Sequence, residues 1–178
     1  MSSKRDVREY YSAISAGYDE LYGEEQSAKL VEALRLLRLE GDDVVLDVGC
    51  GTGSITRRIG EGGRRVIGID ISREMLEEGR RPGMEFLVCD AEGLPFRERE
   101  FDKVVSFTVL QNLADPSKAL GEMWRACRGS MALTVLKEGW SPQRVAGLVG
   151  RYLSPHRVLE LEKDYMCIGE VRARASGP

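Results

Sequence analysis

The chain has 178 residues, of which 42% are hydrophobic and 31% charged, with a formal net charge of −3. That length suits one domain with its own core, and the balance of apolar and charged residues excludes a disordered or membrane-embedded chain. The mild acidity argues against coating nucleic acid by charge alone, and no apolar run approaches the roughly 20 residues that a membrane-spanning helix needs.

The N-terminal Met1-Ser2-Ser3-Lys4-Arg5-Asp6 is followed by charged and aromatic residues rather than a signal-peptide core, so a cytoplasmic location is expected. Residues 4–22 read as a helix carrying Tyr10, Tyr11, Tyr18 and Tyr22. Residues 26–38 predict an amphipathic helix with Leu30, Val31, Leu34 and Leu37 on one face, broken at Gly41-Asp42. Val44-Val45-Leu46-Asp47-Val48 is a short continuous apolar run, the pattern of a strand buried on both faces of a parallel sheet. A helix over 53–61 follows. Then come a strand at Arg65–Asp70, a helix at 72–80 with Ser72 as N-cap, and strands at Met84–Asp90 and Phe101–Phe107. Pro116 opens a helix to about Cys127, and a fifth strand covers 130–137. After a helix at 142–152, runs at 157–163 and 166–173 are joined only by Asp164-Tyr165, so they must form an antiparallel hairpin.

Strands alternating with helices predict an α/β fold: a Rossmann-like, doubly wound, seven-stranded and mostly parallel sheet ending in that hairpin. One domain is expected over 1–178, with N-terminal helices at 1–40, the sheet core at 41–174 and a loose tail at 175–178. Cys50, Cys89, Cys127 and Cys167 form no CxxC pair, and His156 is the only imidazole, so reduced thiols and no metal site are expected. Asn112 is the only asparagine, and only Gln26, Gln111 and Gln143 are glutamines. Few thermolabile amides among many charges suggest a thermophilic source.

The chemistry concentrates in Asp47-Val48-Gly49-Cys50-Gly51-Thr52-Gly53, between the first strand and its helix. Glycines let the backbone approach a ligand, and the helix start beyond offers free N–H groups, which serves any nucleotide-like cofactor. Three features favour S-adenosyl-L-methionine (SAM) over a dinucleotide. The pattern is G-x-G-x-G, with Ser54 where a dinucleotide fingerprint wants glycine. Asp47 before the glycines suits an ammonium and would repel a pyrophosphate. Asp90, ending the third strand, can accept from an adenine amine. Asp70, ending the second, stands where an acid takes ribose hydroxyls in either cofactor class. The plainer alternative for each acid is a helix cap or a solvated loop charge.

Leu46–Gly53 resembles the first motif of class I SAM-dependent methyltransferases. The resemblance extends through Val66–Ser72, Cys89–Phe96 and Phe101–Ser106, over about residues 10–137, and points to the branch containing quinone-biosynthesis C-methyltransferases and small archaeal and bacterial relatives. It implies that Gly49, Cys50, Gly51 and Gly53 pass the backbone beneath the methionine moiety, whose amine Asp47 would hold directly or through water. It also implies that Asp70 takes the ribose, Ile71 packs on adenine, and Asp90 with the Ala91 N–H reads the adenine edge. Ser106-Phe107-Thr108 would pass beside the methyl group. The N-terminal segment would act as a lid, with Tyr10 and Tyr18 near the sulfonium, where an aromatic face gains cation–π attraction.

Where relatives often place a histidine, this chain reads Val109-Leu110-Gln111-Asn112-Leu113. Gln111 and Asn112 can orient an acceptor but are poor bases, which favours positioning of an intrinsically nucleophilic group; otherwise they cap the loop before Asp115-Pro116. The short segment between the fifth strand and the hairpin leaves an open site. The acceptor class therefore stays open among a small molecule, tRNA and protein, and a small zinc-binding activator along a sheet edge is a further partner the resemblance implies. Two rivals remain: a SAM-binding subunit without catalysis, and an NAD-dependent oxidoreductase, for which no catalytic dyad is apparent.

Overall fold

The computed structural model describes residues 4–173, and at residues 19, 22–26 and 28 the backbone alone. Two helices come first, α1 (Lys4–Ile14) and α2 (Tyr18–Leu37), separated by one 3-10 turn at Ser15–Gly17. The alternating core follows: β1 (Val44–Val48), α3 (Ser54–Gly60), β2 (Arg65–Asp70), α4 (Arg73–Gly79), β3 (Glu85–Val88), β4 (Phe101–Phe107), α5 (Pro116–Ala126), β5 (Cys127–Leu136), α6 (Pro142–Val149), β6 (Leu153–Glu160) and β7 (Asp164–Val171). The strands form one seven-stranded sheet in the order β3-β2-β1-β4-β5-β7-β6. All neighbours run parallel except β7, which is antiparallel to both β5 and β6. The expected fold class holds, and the expected reversal is a single strand inserted beside β5.

Successive strand residues serve opposite faces, as the pleat requires. Val45, Val66, Val105 and Ala132 meet Leu30, Ala33 and Leu37 of α2 and Ile55 and Ile59 of α3. Leu46, Val104, Met131 and Leu133 meet Leu120 and Met123 of α5 and Val145 and Val149 of α6. Helix starts are capped as their sequences predict. Ser72 accepts from the Met75 N–H at 3.2 Å, and Asp115, with Pro116 in the first turn, accepts from the Lys118 N–H at 3.0 Å.

Four expectations need correction. The break in the N-terminal helices falls at Ser15–Gly17 rather than after residue 22, so α2 runs through Gly23 without interruption. Val31 is 58% exposed, and Ala33 takes its place in the core. Leu30, Ala33, Leu34 and Leu37 follow the i, i+3, i+4, i+7 rule, from which Val31 is a residue out of phase. The third strand is only four residues long and mostly exposed, because it is the sheet edge with a neighbour on one side. The hairpin link expected at Asp164-Tyr165 falls at residues 161–163, because both of those residues already pair with β5 as the start of β7. As the sequence reading has it, no helix connects β3 to β4. Residues 89–100 cross instead as an irregular segment, pinned where the Arg125 guanidinium donates to Phe96 O at 2.7 Å and Leu94 O at 3.0 Å and Glu122 accepts from the Leu94 N–H at 3.0 Å. The tail expected to be loose, 175–178, lies outside the described residues. Among the described residues no helix is long and apolar enough to cross a membrane, and no cluster of three metal-ligating side chains occurs.

Candidate functional site

The carboxyl ends of β1, β2 and β4 and the segment after β3 surround a cavity holding about 720 Å³ of space, its open mouth included. The loop after β1 forms one wall. The Gly49 and Cys50 N–H groups both donate to Ile69 O, at 2.8 and 2.9 Å, which folds the loop back over β2. Gly49 and Gly51 have φ of +72° and +56° and line the cavity. A Cβ on Gly49 would strike Val109, and one on Gly51 would come within 3.0 Å of Met75 Cε, so only glycine gives this loop its path. Gly53 caps α3 and does not line the cavity; Cys50 turns its thiol over Gly68 of β2.

Asp70 reaches the cavity from the tip of β2. One carboxylate oxygen accepts from the Gly51 N–H at 2.9 Å and the other from the Ser72 N–H at 2.8 Å. Each oxygen keeps a lone pair for a further donor. Asp47 lies beneath the loop at 1% exposure, outside the cavity lining, and accepts from the Thr56 hydroxyl at 2.7 Å. Burial pushes its carboxyl up to about 7, against the Thr56 hydrogen bond and with help from the Asp70 charge. Burial likewise raises Asp70, against the N–H groups of Ser72, Gly51 and Ile71. Among the described residues neither carboxylate has a cationic partner.

Asp90 lines the far side with Ile71 and Ala91. Its carboxylate is engaged: Lys4 Nζ lies 2.7 Å from Asp90 and 2.7 Å from Glu92. Burial alone would raise Asp90, but the Lys4 ammonium and the Glu92 N–H hold it below its ordinary value. Lys4 belongs to α1, which closes over the cavity and is latched twice more. The Asn112 amide donates to Tyr11 OH at 2.8 Å, and the Ser12 hydroxyl donates to Glu74 at 2.7 Å.

The expected Tyr10 is 54% exposed and outside the lining, whereas Tyr11 and Tyr18 line the cavity. Lys4, Val7 and Tyr11 recur at spacings of three and four, one face of a helix, and that periodicity singles out Tyr11 over Tyr10. Phe107 and Asn112 line the cavity, whereas Gln111 turns away and donates its amide to Thr108 O.

Sequence reasoning missed a buried cluster behind Thr108. Lys29 of α2 (side chain 4% exposed) pairs with fully buried Asp164 of β7 at 2.7 Å and donates to the Thr108 hydroxyl at 2.9 Å. Thr108 lines the cavity at φ +62°, a left-handed conformation unusual for a β-branched residue. The apolar periodicity of α2 carries one weak signal, a lysine immediately before Leu30 on the inward face.

A family model described as a methyltransferase domain matches residues 46–133. Demethylmenaquinone methyltransferase of Renibacterium salmoninarum is 40% identical over 93 residues, 51% of this chain and 39% of that protein. Malonyl-[acyl-carrier protein] O-methyltransferase of Hamiltonella defensa is 30% identical over 169 residues, 83% of this chain and 66% of that protein. The chain spans about half the length of the curated relatives it matches. Among solved structures, the Haloferax volcanii chain in complex with the Trm112 methyltransferase activator superposes with a TM-score of 0.78 at 20% identity, covering 92% of this chain and 98% of that one.

Proposed function

The chain belongs to the class I SAM-dependent methyltransferase family, and on that basis we propose that it binds SAM in the cavity above β1 and β2 and transfers a methyl group to an acceptor that is itself nucleophilic. The observation that carries this reading is the pair of carboxylates, buried Asp47 and part-buried Asp70, beside a bare glycine backbone with no cation among the described residues to neutralise them. A ligand bearing an ammonium and a sulfonium supplies that charge, whereas a pyrophosphate would meet repulsion. SAM, when bound, supplies a methyl carbon already activated by its sulfonium.

The residues then divide the work. Gly49 and Gly51 present main chain to the methionine moiety. Asp70 offers its spare lone pairs to the ribose hydroxyls, and Ile71, Asp90 and Ala91 surround the adenine. Asp47, beneath the loop, acts through its field rather than by contact. Tyr11, Tyr18 and Phe107 exclude water from the reacting centre. Asn112 positions the acceptor, and the acceptor's own lone pair does the attack, since no imidazole lines the cavity. Calorimetric titration with SAM and S-adenosylhomocysteine, followed by incubation with methyl-labelled SAM and separate RNA, protein and metabolite fractions, tests the reading. Binding of both and label in one fraction supports it; absence of binding overturns it.

One structural feature favours an activator subunit. The sheet edge β3 leaves Leu87 40% and Val88 46% exposed, a strand with apolar side chains and no neighbour on its outer side. The opposite edge, β6, carries Pro155, which has no N–H, and Arg157. A partner adding a strand would therefore pair with β3. Co-expression with a Trm112-type activator should yield a complex on size exclusion that Val88→Lys abolishes; a complex unaffected by that substitution would place the partner elsewhere.

A further inference from the structure

Beside the cofactor cavity lies a second depression, between the turn after β4 and the start of α6. The two adjoin, with Val7, Asn112 and Leu113 lining both. Gln111 lines this second depression. Its amide nitrogen donates to Thr108 O, which fixes the orientation of the group, because the reverse would set oxygen against oxygen. Its Oε1 is thereby held buried with no hydrogen-bond partner. An orphaned acceptor of this kind is costly, and a donor from a ligand relieves it.

Trp140 and Arg144 line it as well. The guanidinium carbon of Arg144 lies 4.1 Å from the Trp140 ring centroid, and one nitrogen is anchored on Gly139 O at 2.7 Å. Arg144 has no carboxylate partner among the described residues, and it is the only charged side chain lining the depression. A held but unneutralised cation, a flat indole and a buried unpaired acceptor together describe a ligand.

We propose that this depression is the acceptor subsite, and that it takes a flat aromatic ring bearing an N–H or O–H donor and an anionic group. The donor meets Gln111 Oε1, the ring packs by Trp140, and the anion meets Arg144. The assignment rests on the methyl-transfer reading and names the acceptor class for it. A free aromatic acid and a mononucleotide share this chemistry.

The test uses the intact 15N-labelled chain and follows the Trp140 indole N–H, assigned through Trp140→Phe. The probes are 2-aminobenzoate and guanosine 5′-monophosphate, with benzoate lacking the donor and aniline lacking the anion. At least one full probe should shift Trp140 while leaving Trp124 in place, and which one does so identifies the source. Benzoate and aniline should bind about tenfold more weakly, as the loss of one charge-assisted or buried hydrogen bond implies. Arg144→Gln, an exposed change, should weaken the full probe about tenfold and leave S-adenosylhomocysteine affinity unchanged. The proposal is overturned if neither full probe moves Trp140, if benzoate binds as tightly as 2-aminobenzoate, or if Arg144→Gln changes nothing. Failure of S-adenosylhomocysteine to bind the unaltered chain would sink the cofactor reading instead.

Discussion

At the scale of single residues, Asp47 and Asp70 make the most direct predictions. Asp70 spends one lone pair per oxygen on the Gly51 and Ser72 N–H groups and keeps the others for a ligand. Asp70→Ala should weaken SAM binding by about tenfold to a hundredfold, the worth of hydrogen bonds to a charged group, in calorimetric titration. Unchanged affinity would refute the ribose assignment. Asp47 has its carboxyl pushed from 3.8 up to about 7 by burial. Between those values the folded chain holds more protons than the unfolded one, so ionising Asp47 costs stability as pH rises through that window. Asp47→Asn keeps an oxygen for Thr56. Its stability relative to the parent should climb by up to about 1.4 kcal/mol per pH unit across the window and be flat below it, as read by urea unfolding at several pH values. A difference independent of pH would show that the carboxyl titrates elsewhere.

At the scale of elements, α1 is the part of the site that sequence reading caught least well. The glycine loop and the acids at strand tips were legible because each follows from one local rule: a short apolar run, a turn that tolerates no Cβ, and an acid where the strand ends. The contacts of α1 are tertiary. Nothing local to Lys4 announces that it meets Asp90 and Glu92, more than eighty residues away, and choosing Tyr11 over Tyr10 needed the helix phase. Lys29 and Asp164 are likewise invisible as a pair, because α2 and β7 meet only in the folded sheet. Lys4 is paired with the carboxylate that the proposed function gives to the adenine amine, and on that proposal the Lys4 ammonium and the adenine amine compete for it. Lys4→Ala should tighten SAM binding by about two- to fivefold, the worth of a half-exposed ion pair; weaker binding would make Lys4 part of the closed complex instead. Lys29→Met leaves Asp164 buried without its counter-charge and should destabilise the fold by about 3–5 kcal/mol in chemical denaturation.

At the scale of the whole molecule, the sheet order separates two tasks. Cavity-lining residues gather at the carboxyl ends of β1, β2 and β4, while β3 is left at an edge with Leu87 and Val88 uncovered. Val88→Lys should therefore leave the unfolding midpoint and SAM affinity unchanged while removing strand addition at that edge. The layered α/β architecture and the helix-free crossing at residues 89–100 were readable from local patterns, but the contacts that pin that crossing, from Arg125 and Glu122 of α5, were not, since they are tertiary. The reversed strand has a further consequence for how the chain assembles. β7 follows every other strand in sequence, yet it sits in the interior, flanked by β5 and β6. During synthesis on the ribosome the flank of β5 therefore stays unzipped until residue 171 has emerged, and a nascent chain stalled earlier carries a sticky, aggregation-prone margin that a holdase chaperone would have to shield.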